Sequence, residues 1–261
     1  MRNILVLLLA ATIALTGCNP DKPTENANQN SNSNSNVSRI VNTPPPIKPE
    51  GPVDPNFKPC NPYYPLVPGS QLEYTLVISS GLVNDVTIVV DEAEENGRKV
   101  FVERSRAVDK TGGLEKAELS VRKYVCDSGR IQIVAEKTNN NIQGQATEFE
   151  HVFNNTAVLM TDPQSLGRKG TTWSYSFRQI IRLPGNPEVR PEEPITIVFT
   201  VEGEEEVTVP AGKFKALKIK RQVGDFEVAE YFVRGIGMVR RVAVEGTSWA
   251  LTGYSGVSAA E

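Results

Sequence analysis

The sequence predicts an all-β domain, and three observations predict it. Apolar and polar residues alternate over short runs, the mark of strands with one buried face. Turn residues interrupt these runs at spacings of roughly eight to twelve residues. No long segment repeats at the helical period of about 3.6 residues. The pattern fits one large curved antiparallel sheet or an open β-barrel, with a two-sheet sandwich as the competing arrangement.

The runs are taken in chain order. Leu72, Tyr74, Leu76 and Ile78 alternate with polar neighbours, and Ser80-Gly81 turns the chain. Val86, Ile88 and Val90 repeat the step, and Asp91 to Gly97 reads as an acidic hairpin tip. Val100 and Val102 open the next run, which Thr111-Gly112-Gly113 turns. Leu119, Val121 and Val125 lead to Cys126; Asp127-Ser128-Gly129 turns into Ile131 and Ile133. Asn139 to Gly144 reads as a loose loop, and Thr147 to Phe153 as a strand. Ala157 to Leu166 fits either a connector or one helical turn. Trp173, Tyr175 and Phe177 alternate again, and four prolines make Leu183 to Pro194 a loop. Ile195, Ile197, Phe199 and Val201 follow, with Glu204 to Glu206 as a charged turn. Leu217 and Ile219, Val228 and Phe232, Val239 to Val244, and Trp249 with Leu251 supply the last strands. A faint internal echo is present: Gly69-Ser70-Gln71-Leu72-Glu73-Tyr74 matches Gly170-Thr171-Thr172-Trp173-Ser174-Tyr175. It fits duplicated half-domains or a chance likeness of two strand starts.

Ahead of the domain stands a different chemistry. Arg2 charges the first residues, and Ile4 to Leu15 is apolar except for Thr12. That run has the length of a secretory h-region. A bilayer span needs about 20 apolar residues. The run ends in Leu15-Thr16-Gly17-Cys18, which resembles the bacterial lipobox. There the leader is cut before the cysteine, whose thiol and new amine are acylated. Two or three acyl chains make a stable anchor, whereas one is marginal. Asn19 to Pro62 is nearly free of core-forming residues: Asn and Ser dominate first, proline from Pro44 on. Such a coil has a typical end-to-end distance of roughly 35 Å. The expected organisation is a cleaved lipoprotein signal peptide over 1–17, a disordered tether over 18–62, one β-domain over 63–255 and a flexible tail over 256–261.

Charge is unremarkable. Loss of the leader removes one arginine and no acid, so the net charge of −3 moves to −4. With no basic patch, nucleic acid is not an expected partner. Cys60 and Cys126 remain after lipidation of Cys18. In an oxidising compartment an even pair favours a disulfide over two buried free thiols. A loop this long would stabilise the fold by about 4 kcal/mol.

Chemistry-bearing patterns are sparse. His151 is the only histidine, and no Gly-x-Ser-x-Gly elbow accompanies it. One histidine and two cysteines do not make a zinc site, and no cofactor is expected. Asp91, Glu92, Glu94 and Glu95, like Glu202 and Glu204 to Glu206, lack calcium-loop spacing and read as solvated turns. Lys213, Lys215, Lys218, Lys220 and Arg221, with Arg240 and Arg241, make either a positive face or the wet side of a sheet. Aromatic residues are plentiful, and a sheet that curls without closing would let some line a groove.

Several blocks together resemble a family of bacterial lipoproteins and secreted β-domain proteins of unknown function. They are Tyr63-Tyr64-Pro65-Leu66 with Gly69, Leu72 and Tyr74; Tyr124-Val125-Cys126 with Gly129; and Leu166 with Gly170, Trp173 and Tyr175. The remaining two are Val209-Pro210-Ala211-Gly212 running through Phe214 and Lys215 to Ala216-Leu217, and Gly235-Ile236-Gly237-Met238-Val239. The resemblance implies a curved antiparallel sheet in the envelope and carries over no catalytic residue. The expectation is a membrane-anchored, non-enzymatic binding module for an envelope lipid, glycan or protein segment. The alternatives are an assembly lipoprotein acting by protein contacts and, least favoured, a hydrolase. Asn19 after Cys18 is not the inner-membrane retention residue, which favours the outer membrane in a two-membrane organism.

Overall fold

The computed structural model describes residues 45–111, 117–142, 145–153, 156–182, 188 and 193–260. The expected signal peptide, the lipobox-like block with Cys18 and the Asn/Ser-rich stretch lie outside the described residues. The domain is all-β, as its alternation predicts. The first run of strands is β1 (Gln71–Val77), β2 (Val83–Glu95), β3 (Arg98–Asp109), β4 (Ala117–Asp127), β5 (Arg130–Ile142) and β6 (Gln145–Phe153). A short β7 (Ala157–Met160) and one helical turn, α1 (Pro163–Leu166), lead to the second run. That run is β8 (Thr172–Arg182), β9 (Ile195–Val209), β10 (Gly212–Val223), β11 (Phe226–Val233), β12 (Gly237–Ala243) and β13 (Ser248–Ser255).

Nearly every strand pairs antiparallel with the next in sequence. β6 reaches past β7 to β8, and β13 returns to β1. β4 also pairs with β5, so the sheet closes into a 12-stranded barrel with β7 as an extra strand. β7 sits on the edge of β5 at Ile131–Ile133, the same edge that β6 uses from Glu136 onward. Two-residue turns fit this meander: Asn96-Gly97 and Ser128-Gly129 both take positive φ, which matches the twist of adjoining strands.

Closure changes one expectation. A groove on a curled open sheet is absent from this wall, because β4 and β5 pair from Ala117 to Asp127. The inward face is instead a core. Tyr74, Leu76, Val86, Ile197, Phe199, Val201 and Leu251 are all buried on it. Trp173 stacks on Phe199 with ring centroids 5.1 Å apart, and Tyr175 lies 5.9 Å from the same ring.

Three local expectations also change. Glu204 to Glu206 are not a turn but the middle of β9, facing Leu217, Ala216 and Lys215 of β10. Cross-strand lysines hold them there. The loose loop expected at Asn139 is strand as far as Ile142, paired to β6. The acidic tip begins later than expected, since Asp91 to Glu95 continue β2 against β3.

The proline-rich half of the expected tether does not hang free. The Glu50 N–H donates to Asp91 at 2.6 Å, and Arg104 donates to the Lys48 carbonyl at 2.9 Å. Phe57 meets Phe101 edge-on. Proline lowers the ordering cost of such a strap, and its carbonyls and few N–H groups find fixed partners on the wall. Gly69 makes room for it: a Cβ there would lie 2.7 Å from the Pro52 and Val53 backbone. The strap then enters the barrel mouth. Asn61, wholly buried, donates to the Gly129 and Thr161 carbonyls, both at 2.8 Å. Cys60 is disulfide-bonded to Cys126, their Cα atoms 6.2 Å apart. The tail expected to be flexible from 256 is likewise docked, with the Ala260 N–H on the Arg234 carbonyl at 3.0 Å. Gly235 permits that approach, since a Cβ there would collide with Ser258.

Candidate functional site

Strand register assembles the chemistry inside the barrel. Glu103 on β3 faces Arg122 on β4, Arg122 faces Glu136 on β5, Glu136 faces His151 on β6, and His151 faces Gln179 on β8. Five neighbouring strands thus place five polar side chains in one row. The Arg122 Nε donates to Glu136 at 2.7 Å, and its Nη1 to Glu103 at 3.5 Å. His151 Nδ1 lies 2.8 Å from the second Glu136 oxygen, and its Nε2 lies 3.2 Å from the Gln179 amide nitrogen. Tyr64, carried in by the strap, donates to Glu103 at 2.8 Å and shares a 3.1 Å contact with the Tyr124 hydroxyl.

Burial alone would raise the Glu136 carboxyl, but Arg122 and His151 against it hold it down at about 2. An ionised Glu136 accepts, so Nδ1 of His151 carries the proton and Nε2 accepts from Gln179. Burial, with the Glu103 charge beside them, pushes the Tyr64 and Tyr124 hydroxyls well up. Both remain neutral donors. The His151 ring also rests 4.5 Å from Phe177. From sequence His151 is weighed only against a serine elbow and a zinc site, neither of which points to this row. The residue is a buried link in a chain of charge.

A second triad stands on the opposite wall. Arg221 on β10 and Arg241 on β12 approach the same Glu230 oxygen on β11, at 3.1 and 2.9 Å. Arg241 also lies over the Trp249 ring at 5.3 Å. Burial first, then Arg241 and Arg122, push the Arg221 guanidinium down, while Glu230 opposes them. Tyr175 feels both walls: burial chiefly raises its hydroxyl, Glu136 and Glu230 add to that, and Arg221 and Arg122 oppose it.

The basic face considered from sequence divides between the two sides of the wall. Arg221 and Arg241 point inward. On the outer side Lys213 pairs with Glu206 at 2.8 Å, Lys215 with Glu204 at 2.6 Å, and Lys218 with Glu202 at 3.2 Å. Each of these lysines is matched by an acid, and Arg240 lies over the Tyr231 ring at 5.8 Å. The other acidic cluster is matched too, Asp91 by Arg104 at 2.6 Å and Glu92 by Lys99 at 2.8 Å. Among the described residues no group of three or more His, Cys, Asp or Glu is placed to hold a metal ion.

Glu103, Arg122, Glu136, Arg221, Glu230 and Arg241 were not singled out as an inward set by sequence. Two of them were legible. Arg221 stands between Ile219 and Val223, and Glu230 between Val228 and Phe232, on the apolar parity of their strands. Glu136 was hidden, because a bulge between Lys123 and Tyr124 shifts the facing register of β5.

The fold and site together define a class: a closed antiparallel barrel with an ion-paired polar interior and an outer wall of charged cross-strand pairs. On β9 and β10 the outer side suits water, since a lipid-facing band disfavours Lys–Glu pairs at successive positions. No family model and no curated protein matches the chain. A solved structure of a candidate exported protein with a YmcC-like fold, from Bacteroides fragilis, is similar at 16% identity and a TM-score of 0.47. The match covers 72% of this chain and 95% of that one. The family resemblance therefore continues to rest on the sequence blocks.

Proposed function

We propose that this chain is a lipoprotein of the bacterial envelope, anchored through acylated Cys18, whose barrel is a non-enzymatic binding module. The observation that carries the anchor is the Leu15-Thr16-Gly17-Cys18 block closing an apolar run. The reading of the barrel as a non-catalytic body is supported by its interior row. His151 has both nitrogens engaged, and Glu136 is held ionised between Arg122 and His151. Both side chains are buried and turned to the protein's own groups. In a two-membrane organism the residue after Cys18 favours the outer membrane.

Closure of the sheet moves the expected contact surface outward. With Tyr74, Phe199 and Leu251 packed inside, the binding face lies on the outer wall or the rims. A protein segment or glycan suits those better than a lipid in a groove. Assembly through protein contacts fits the same observation.

The test is fractionation of cells expressing the whole chain or Cys18→Ala, with a labelled fatty acid supplied. The native chain should carry label and stay with membranes after high-salt washing, and the variant should do neither. A Cys18→Ala chain that still sediments with washed membranes would sink the anchor. Crosslinking in intact cells should recover a defined envelope partner, and recovery of none would remove the binding reading.

A further inference from the structure

The two runs of strands repeat one another. β1 to β6 and β8 to β13 are each six-stranded meanders, and β1 and β8 stand six places apart in the ring. The sequence echo marks the start of each run, and its hydrogen bonds repeat. Gly69 N–H donates to the Val90 carbonyl at 2.8 Å, and Val90 N–H to that of Ser70 at 3.2 Å. Gly170 N–H donates to the Val201 carbonyl at 2.8 Å, and Val201 N–H to that of Thr171 at 2.9 Å.

From these anchors the pairing can be followed strand by strand. Val90 faces Glu103 where Val201 faces Ile219, and Glu103 faces Arg122 where Ile219 faces Glu230. Arg122 faces Glu136 where Glu230 faces Arg241, and Glu136 faces His151 where Arg241 faces Trp249. One bulge coincides, while the bulge between Lys218 and Ile219 belongs to the second half alone. β4 against β5 bulges between Lys123 and Tyr124, and β11 against β12 bulges between Tyr231 and Phe232, the equivalent step. Two unrelated hairpin series have no reason to share a glycine bracket, a register through five strands and a bulge.

The charges do not repeat: Ile219 stands where the first half has Glu103, and the second half draws its other cation from Arg221, two residues on. Arg122 corresponds to Glu230, and Glu136 to Arg241. The first half holds an arginine between two glutamates, net −1. The second holds a glutamate between two arginines, net +1. We infer that the barrel is a tandem duplication of one six-stranded unit, and that the two triads of opposite sign key its halves to each other across the interior.

Two triads of one sign would leave a doubled charge in a poorly solvated core, where ionic interactions are strong. Triads of opposite sign cancel. The central strands of the two triads, β4 and β11, stand six places apart in the ring, on opposite walls. The same inversion sets partner choice. A half meets attraction from a complement and repulsion from its own copy, which disfavours barrels built from two like halves.

The test is a substitution cycle in the full chain, independent of membrane anchoring. Glu136→Gln alone leaves the interior with excess positive charge, Arg241→Gln alone with excess negative charge, and the pair restores neutrality. Each single variant should lower the thermal midpoint, read by circular dichroism, by about 10 °C. The double variant should fall short of the summed loss by roughly 4 °C or more. A smaller shortfall overturns the key. If a single variant fails to fold, recovery of folding in the double supports the key. If neither folds, Glu103→Gln with Arg221→Gln is read the same way, and no recovery there also overturns it.

Discussion

Two sets of ion pairs occupy the two sides of the same wall, and they do different work. Outside, Lys213, Lys215 and Lys218 meet Glu206, Glu204 and Glu202 across β9 and β10. The Lys215 and Glu204 side chains are 72% and 45% exposed. Inside, Glu136 and His151 are 5% and 4% exposed. The outer pairs gain little because water already solvates both charges. The inner pairs have lost that water, so each charge depends on its neighbour. The difference teaches that the outer charges keep the wall wet and in register, while the inner charges hold only as a set.

Breaking the inner set should have the largest effect. Arg122→Met leaves Glu103 and Glu136 buried near each other without the guanidinium between them. Chemical denaturation should show a loss of about 3–5 kcal/mol. A loss under about 1 kcal/mol would mean that water reaches the row.

Acid should act next, and the sign can be worked out. The Glu136 carboxyl is lowered from 4.5 to about 2 in the folded state. A lowered carboxyl stabilises the fold above its unfolded value, and that contribution fades as pH falls through the folded one. Stability should therefore decline between pH 4.5 and about 2, and Glu136→Gln should flatten that decline. An unchanged acid profile in the variant would remove Glu136 as the group responsible.

The outer pairs should show the smallest effect. Lys215→Ala or Glu204→Ala should leave the denaturation midpoint almost unchanged, and 1 M salt should erase any difference. Arg122→Met should keep most of its loss in the same salt. Equal salt sensitivity on both sides would show that the interior is as wet as the surface.

Much of the fold was legible because strand alternation needs only nearest-neighbour chemistry. Leu72, Tyr74 and Leu76, or Trp173, Tyr175 and Phe177, declare their strands without any partner. Closure was not legible, since it depends on β4 meeting β5 as well as β3. Glu204 to Glu206 looked like a turn because three acids in a row repel. Only Lys213, Lys215 and Lys218 on the facing strand reverse that. The strap misled for a related reason: its residues lack a core of their own, yet Asn61 and Tyr64 complete a core made elsewhere. Of the inward charges, Arg221 and Glu230 could be found by parity, whereas Glu136 needed the bulge.

The strap also sets a path for mechanical load. Cys60 joins Cys126 eleven residues before β1 begins at Gln71. Tension applied ahead of residue 45 would first peel Lys48 and Glu50 from the wall. It would then stop at a covalent bond to the β4–β5 hairpin. The ladder between β1 and its neighbours would carry none of that pull while the bond is intact.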